Sequence, residues 1–226
     1  MYEERASAVP GAVRWTHRPA PGDTPGLVLP DGCADLLWSG HELVVAGPDT
    51  RAHAGGPGGP WAGVRLPPGL APAVLGVPAV HLRDRRVPLA DVWGAARVRE
   101  LTERVATAAD PAAALDALTA SLVRRSPPPE PLVRHAARLL AQGLPVARVA
   151  AELGVGERRL HRTSLVAFGY GPKTLARVLR LQRALAASRA GQPAARVAAA
   201  TGYADQQHLA REVRALTGTT LSRLRG

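Results

Sequence analysis

The sequence has little of what several functions require. One cysteine, Cys33, among 226 residues excludes an internal disulfide framework and a zinc site built of several cysteines. One lysine, Lys173, stands against 28 arginines, and there is a single phenylalanine and a single methionine. Long apolar runs are absent. The longest uncharged stretch, Leu66 to Val80, is interrupted by Pro67, Pro68, Pro72 and Pro78, so no segment is expected to span a membrane. The start, Met1-Tyr-Glu-Glu-Arg5, has neither the basic region nor the apolar core of a secretory signal, and the chain reads as cytoplasmic. No Gly-x-Ser-x-Gly, His-Glu-x-x-His or phosphate-loop string occurs. Gly55-Gly-Pro-Gly-Gly59 contains Pro57, is followed by Pro60 and has no helix after it, and reads as a loop. His41, His53 and His81 lack ligand spacing. No catalysis, metal or cofactor is expected.

What is present is an ordinary globular composition, 46% apolar and 21% charged, with a formal charge of +11 that is unevenly spread. Residues 1–130 carry 13 arginines against 14 carboxylates, while residues 131–226 carry 16 cations against four carboxylates. Codon bias would load both halves alike. A basic half beside a neutral one implies a polyanion-binding module joined to something else.

The texture divides in the same way. Residues 1–94 hold short β-like runs, at Val13–Trp15, Leu27–Leu29, Asp35–Trp38, Glu42–Val45 and Gly63–Leu66, with Ser39-Gly40-His41 as a hairpin turn. Strands of this number suit a small barrel or sandwich. Residues 95–130 read as a helical connector ending in the proline-rich linker Ser126–Pro131. Helices are expected over 90–107 and 111–124, the second opened by Asp110-Pro111. Their apolar stripes could pair two chains or pack on the β region. Residues 131–226 read as short helices broken by glycine, so the fold class is α+β.

The basic half contains a repeat. Ala147-Arg-Val-Ala-Ala151 recurs word for word as Ala195-Arg-Val-Ala-Ala199. Each copy is followed by a glycine turn, an acidic residue and a helix, Arg158–Phe168 and Gln206–Leu216, closed by Gly169 and Gly218. Helix, glycine turn, helix is the pattern of a helix-turn-helix. The free faces of the second helices carry Arg158, His161 and Arg162 in one copy and Gln206, Gln207, His208 and Arg211 in the other. Arginine can bond guanine O6 and N7 together, and glutamine adenine N6 and N7. Between the copies, residues 172–190 form a helix of about 28 Å, near the roughly 34 Å of one DNA turn. Arg148, Lys173, Arg177, Arg180, Arg183, Arg196 and Arg214 are candidates for phosphate contacts.

The last 95 or so residues resemble the DNA-binding domain of the AraC/XylS family of transcriptional regulators. The string Gly202-Tyr203-Ala-Asp205-Gln-Gln-His-Leu209-Ala-Arg211-Glu-Val213-Arg-Ala-Leu-Thr-Gly218 is similar to that family's Gly-Phe-x-(Ser/Asp)-x-x-x-Phe-x-Arg-x-Phe-(Lys/Arg)-x-x-x-Gly. The resemblance implies that the family's base-contacting positions fall on Arg158, His161, Arg162, Gln206, Gln207, His208 and Arg211. Gly156 stands where the family has a serine cap, Thr163-Ser164 where it has large apolar residues, and Thr220 where it has proline. Residues 1–94 are similar to the small β-rich, cupin-like region of short actinobacterial members, carried by Leu29-Pro-Asp-Gly-Cys33-Ala-Asp35-Leu-Leu-Trp38, Val44–Thr50 and Leu75-Gly-Val-Pro78.

The expectation is thus a sequence-specific, ligand-switched transcription regulator that reads two successive major grooves. Its expected partners are double-stranded DNA, a small-molecule effector, a second copy as a homodimer and, for an activator, RNA polymerase, with no membrane and a nucleoid location. Two other readings stay open: a sensor or modifying enzyme using Cys33 as a thiol, and a non-specific architectural DNA-binder. Asp31 and Asp35 beside Cys33 should suppress its thiolate.

Overall fold

The computed structural model describes residues 1–20, 26–55 and 59–225. Eight strands lie among them: β1 (Tyr2–Ala6), β2 (Val13–His17), β3 (Leu27–Val28), β4 (Ala34–Trp38), β5 (Leu43–Ala46), β6 (His53–Ala54), β7 (Trp61–Leu66) and β8 (Arg86–Pro88). Six form one antiparallel sheet in the order β1-β2-β7-β4-β5-β8, and β3 pairs with β6 as a separate ribbon. The β-rich half is an open sheet, since β1 and β8 do not pair with each other among the described residues. Every run read as a strand from its alternation is one, and Ser39 N–H closes the β4–β5 turn on the Glu42 carbonyl at 3.1 Å. Residues 56–58 of the stretch read as a loop lie outside the described residues. Strands β1 and β8 had no sequence signal because they are edges. All five β1 residues are exposed, so nothing requires apolar alternation there.

One face of the sheet, with Leu36, Trp38, Leu43, Val45, Val64 and Leu66, is the floor of the largest core. Helices α1 (Ala71–Leu75), α2 (Leu89–Trp93), α3 (Ala95–Ala106) and α4 (Pro111–Arg125) belong to that core. The helix expected over 90–107 is two helices, because Gly94 at φ +84 and ψ 144 breaks it where a residue with a Cβ would be strained. The Asp110 carboxylate accepts from Ala113 N–H at 3.0 Å and caps α4, with Pro111 in its first turn. The apolar stripes of α3 and α4 are used inside the chain, where Val98, Val105, Leu115 and Leu118 are buried in the core that the sheet closes. Buried Asp116 on α4 accepts from the Ser7 hydroxyl and from Ala8 N–H at 3.0 Å, which ties the β1–β2 turn to the helix layer.

The opposite face carries Trp15, Leu37, Val44, Ala46 and Trp61. Gly63 is required there, because a Cβ on it would fall within the Trp15 indole. The four tryptophans form no common pocket: Trp38 lies in the main core, Trp15 and Trp61 on the other face, and Trp93 against α1 with its Nε1 donating to the Leu75 carbonyl at 2.8 Å.

After the extended segment 127–130 the chain is helical: α5 (Pro131–Ala141), α6 (Val146–Glu152), α7 (Glu157–Phe168), α8 (Pro172–Arg189), α9 (Ala194–Thr201) and α10 (Gln206–Thr217). Two small cores form. Val133, Ala136, Leu140, Val149, Leu160 and Phe168 make one with Leu175; Val197, Ala198, Leu209, Val213 and Leu216 make the other with Leu181 and Leu185. Helix α8 therefore contributes its first half to one core and its second half to the other.

The sheet half touches both cores. Gln182 Nε2 on α8 donates to the Pro30 carbonyl at 2.6 Å, and Ala52 N–H donates to the Leu216 carbonyl, near the end of α10, at 2.7 Å. Tyr170, between α7 and α8, is 2% exposed at this contact.

Candidate nucleic-acid interface

Helices α6 and α7 join through Gly154-Val155-Gly156, and α9 and α10 through Gly202-Tyr203-Ala204-Asp205. The repeated pentapeptides lie on α6 and α9. In each unit the first helix buries a valine–alanine pair (Val149 and Ala150, Val197 and Ala198) against a leucine of the second (Leu160, Leu209), and all six are at most 3% exposed. That packing leaves the opposite face of each second helix in solvent.

The two second helices begin differently. Asp205 caps α10, its carboxylate accepting from His208 N–H at 2.6 Å, a bond that holds its pKa below the usual value. Gly156 supplies no side chain to cap α7. Ser164, where the family has an apolar residue, is fully buried with a hydroxyl that has no partner among the described residues.

On α7, Arg158, Arg159 and Arg162 are exposed together. Arg158 and Arg162 border a groove of about 570 Å³ whose other wall is the start of α8, with Lys173 and Thr174. His161 lies in this groove with its ring over Gly171, where a Cβ would come within 2.7 Å of the imidazole. On α10, Gln206, Gln207, Arg211 and Arg214 are exposed. His208 turns back instead: its Nδ1 accepts from Ala204 N–H at 3.3 Å, and its ring meets Tyr203 edge-on at 5.3 Å.

The seven expected phosphate contacts divide into two groups. Arg148, Lys173, Arg196 and Arg214 are exposed, Arg148 within 3.6 Å of Glu152 on its own helix. The three α8 arginines are engaged within the protein. Arg177 donates Nε and Nη2 to Glu212 at 2.6 and 3.1 Å. Arg180 donates to the Gly202 carbonyl at 3.3 Å and lies 4.6 Å over the Tyr203 ring. Arg183 donates to the Ala141 carbonyl at 2.7 Å, satisfying the open C-terminus of α5. Burial pushes the Glu212 pKa up, but the hydrogen bond and charge of Arg177 outweigh it and the net shift is downward. Arg134, His135 and Arg138 on the exposed face of α5 add positive surface that the repeat-based reading missed; their shared helix face was the available signal.

Cys33 sits at the start of β4 in an acidic environment. Burial, and then the charges of Asp31 and Asp35, push its thiol well above the ordinary pKa, which suppresses the thiolate. Asp35 accepts from Trp15 Nε1 at 2.7 Å, and burial raises its pKa to about 6 despite the nearby Arg65. Asp31 pairs with Arg65 at 3.2 Å. Among the described residues no cluster of His, Cys, Asp and Glu could hold a metal ion, and no helix is long and apolar enough to cross a membrane.

Residues 149–226 match the family model described as a helix-turn-helix domain. That match places a helix-turn-helix domain, the usual architecture of a DNA-binding module, at the carboxy-terminal end of the chain. Among solved structures, a lysine-to-alanine variant of apo ToxT from Vibrio cholerae strain SCE256 is similar over 97% of this chain and 98% of its own, at 8% identity and a TM-score of 0.52. ToxT from Vibrio cholerae O395 covers 94% and 96% at 7% identity and a TM-score of 0.48. The first likeness extends the shared α+β fold over both halves of the chain. No curated protein matches the sequence significantly.

Proposed function

We propose that this chain is a one-component, sequence-specific regulator that uses α7 and α10 as recognition helices in two successive major grooves. One observation carries the reading: two helix-turn-helix units with free polar faces are mounted on a single helix, α8. Its 18 residues span about 27 Å at 1.5 Å per residue, close to one turn of duplex DNA. In this reading Arg158 and Arg162 address guanines, Gln206 and Gln207 address adenines, and Arg211 completes the second site. His161 approaches the DNA from the groove beside α8, whereas His208 holds the turn that presents α10. Arg148, Lys173, Arg196 and Arg214 bind phosphates and supply the salt-dependent part of the affinity.

The sheet half is proposed as the regulatory part. It contacts the middle of α8 through Pro30 and the end of α10 through Ala52, so a small molecule that displaced it would act on both units. A homodimer and RNA polymerase are the further partners of this reading, with action on the nucleoid in the cytoplasm.

Selection of bound duplexes from a random pool at fixed, near-physiological salt, followed by footprinting of the best one, tests the proposal. The expected result is one preferred sequence, bound about 10³-fold or more above random duplex, with two protected stretches one helical turn apart. Equal affinity for every duplex would establish the architectural reading instead.

A further inference from the structure

Glu212 is the sole carboxylate within α10, beside Arg211, and its side chain points towards α8 rather than along the exposed face. There it takes two bonds from the planar fork of Arg177, a geometry that makes a strong, oriented pair. Arg180 Nη2 lies 3.8 Å from the same carboxylate. Arg177 is four residues from Lys173, hence on the same face of α8, and Lys173 lines the groove beside Arg158 and Arg162. The Arg177 side chain is still about a third exposed. Without its partner it would stand free at the rim of the surface that meets DNA.

We infer that Glu212 is a specificity-determining residue: by holding Arg177 it withholds a cation from sequence-independent phosphate binding, while Arg180 stays pinned on Gly202 and Tyr203. The inference rests on the proposed reading of α7 and α10. A phosphate contact strengthens binding to every duplex alike, so it raises affinity without raising discrimination. Pairing Arg177 inside the protein lowers the affinity for random DNA and leaves Gln206, Gln207 and Arg211 untouched. The same bonds fix α10 against α8, so the acid on the recognition helix serves selectivity twice.

The experiment measures binding of the full chain to a short random-sequence duplex at several salt concentrations, for the wild type, Glu212→Gln, Arg177→Gln and the double variant. Each arginine that reaches a phosphate should steepen the slope of log K against log salt by about 0.9. Glu212→Gln, which frees Arg177, is therefore expected to steepen it by about 0.9 and to bind random duplex more tightly at low salt. Arg177→Gln alone should leave the wild-type slope unchanged, and in the double variant it should remove the gain. A wild-type slope in folded Glu212→Gln overturns the inference. So does a loss of about 0.9 in Arg177→Gln, which would mean that Arg177 already contacts phosphate; this arm decides the matter even if Glu212→Gln does not fold. A wild-type protein that binds no duplex at any salt overturns the DNA-binding reading itself, and is seen before any variant is compared.

Discussion

Gln182, in the middle of the spacer helix α8, donates its side-chain amide to the carbonyl of Pro30, 152 residues earlier in the chain. Beside this bond Gly32 lies against Leu175 and Leu179 of the same helix. Gly32 has φ +85, and a Cβ on it would stand 2.9 Å from Leu175 Cδ1. Gly32→Ala combines backbone strain with a clash at the contact between the halves, and should destabilise the protein by about 1–3 kcal/mol. Denaturant unfolding of the full chain measures this, and an unchanged midpoint would refute it.

The two kinds of DNA contact should separate in one set of binding curves. Arg211→Ala should cost about 1–3 kcal/mol at the preferred site and relax base choice there. Arg214→Ala should weaken all duplexes about equally and reduce the salt slope by about 1. Arg211→Ala with intact site preference would remove that residue from base reading.

Asp35 makes a pH-dependent contribution of defined sign. Its folded pKa, about 6, lies above the unfolded value near 3.9, so the folded state holds the proton more tightly. The stability this supplies is full below about pH 4 and is lost as pH rises through 6. Asp35→Asn keeps an oxygen for Trp15 Nε1 but cannot ionise. Relative to this variant, the wild type should lose on the order of 2–3 kcal/mol between pH 4 and pH 7. Parallel stability curves would show that Asp35 ionises normally.

Cys33 should be inert in the folded protein. With its pKa raised by burial and by two neighbouring aspartates, a thiol reagent at pH 8 should label it slowly until denaturant is added. Rapid stoichiometric labelling of the native chain would restore a sensor role for the thiol.

The Asp205 cap should matter to α10 and to nothing in the sheet. Asp205→Ala removes the acceptor of His208 N–H and should lower the Tm. No change would mean that Tyr203 and the helix-turn-helix core hold the turn unaided.

The carboxy-terminal helices were legible because each is announced locally. A duplicated pentapeptide, a glycine turn, a first-turn acid and a glycine stop are all contained within about 25 residues, and the ends of α7 and α10 fall within one residue of those expected. The edge strand β1 was not legible, since a fully exposed strand carries no apolar alternation, and β8, with Val87 and Pro88 half-buried, is only three residues long. Among the candidate site residues, exposure on a helix face could be read from spacing. The engagement of Arg177, Arg180 and Arg183 could not, because their partners Glu212, Gly202 and Ala141 are distant in sequence.

Sequence alone determined the two helix-turn-helix units, the spacer helix between them and the division of charge, because helix periodicity, caps and charge are properties of short segments. Tertiary structure decided which cations remain free for a polyanion, which histidine faces outward and where the sheet half grips the rest. These depend on side chains that meet only when α8 packs between two cores. An arginine on that helix is a phosphate ligand or an internal pin according to whether a carboxylate or carbonyl has been brought within about 3 Å of it, and no local pattern records that distance.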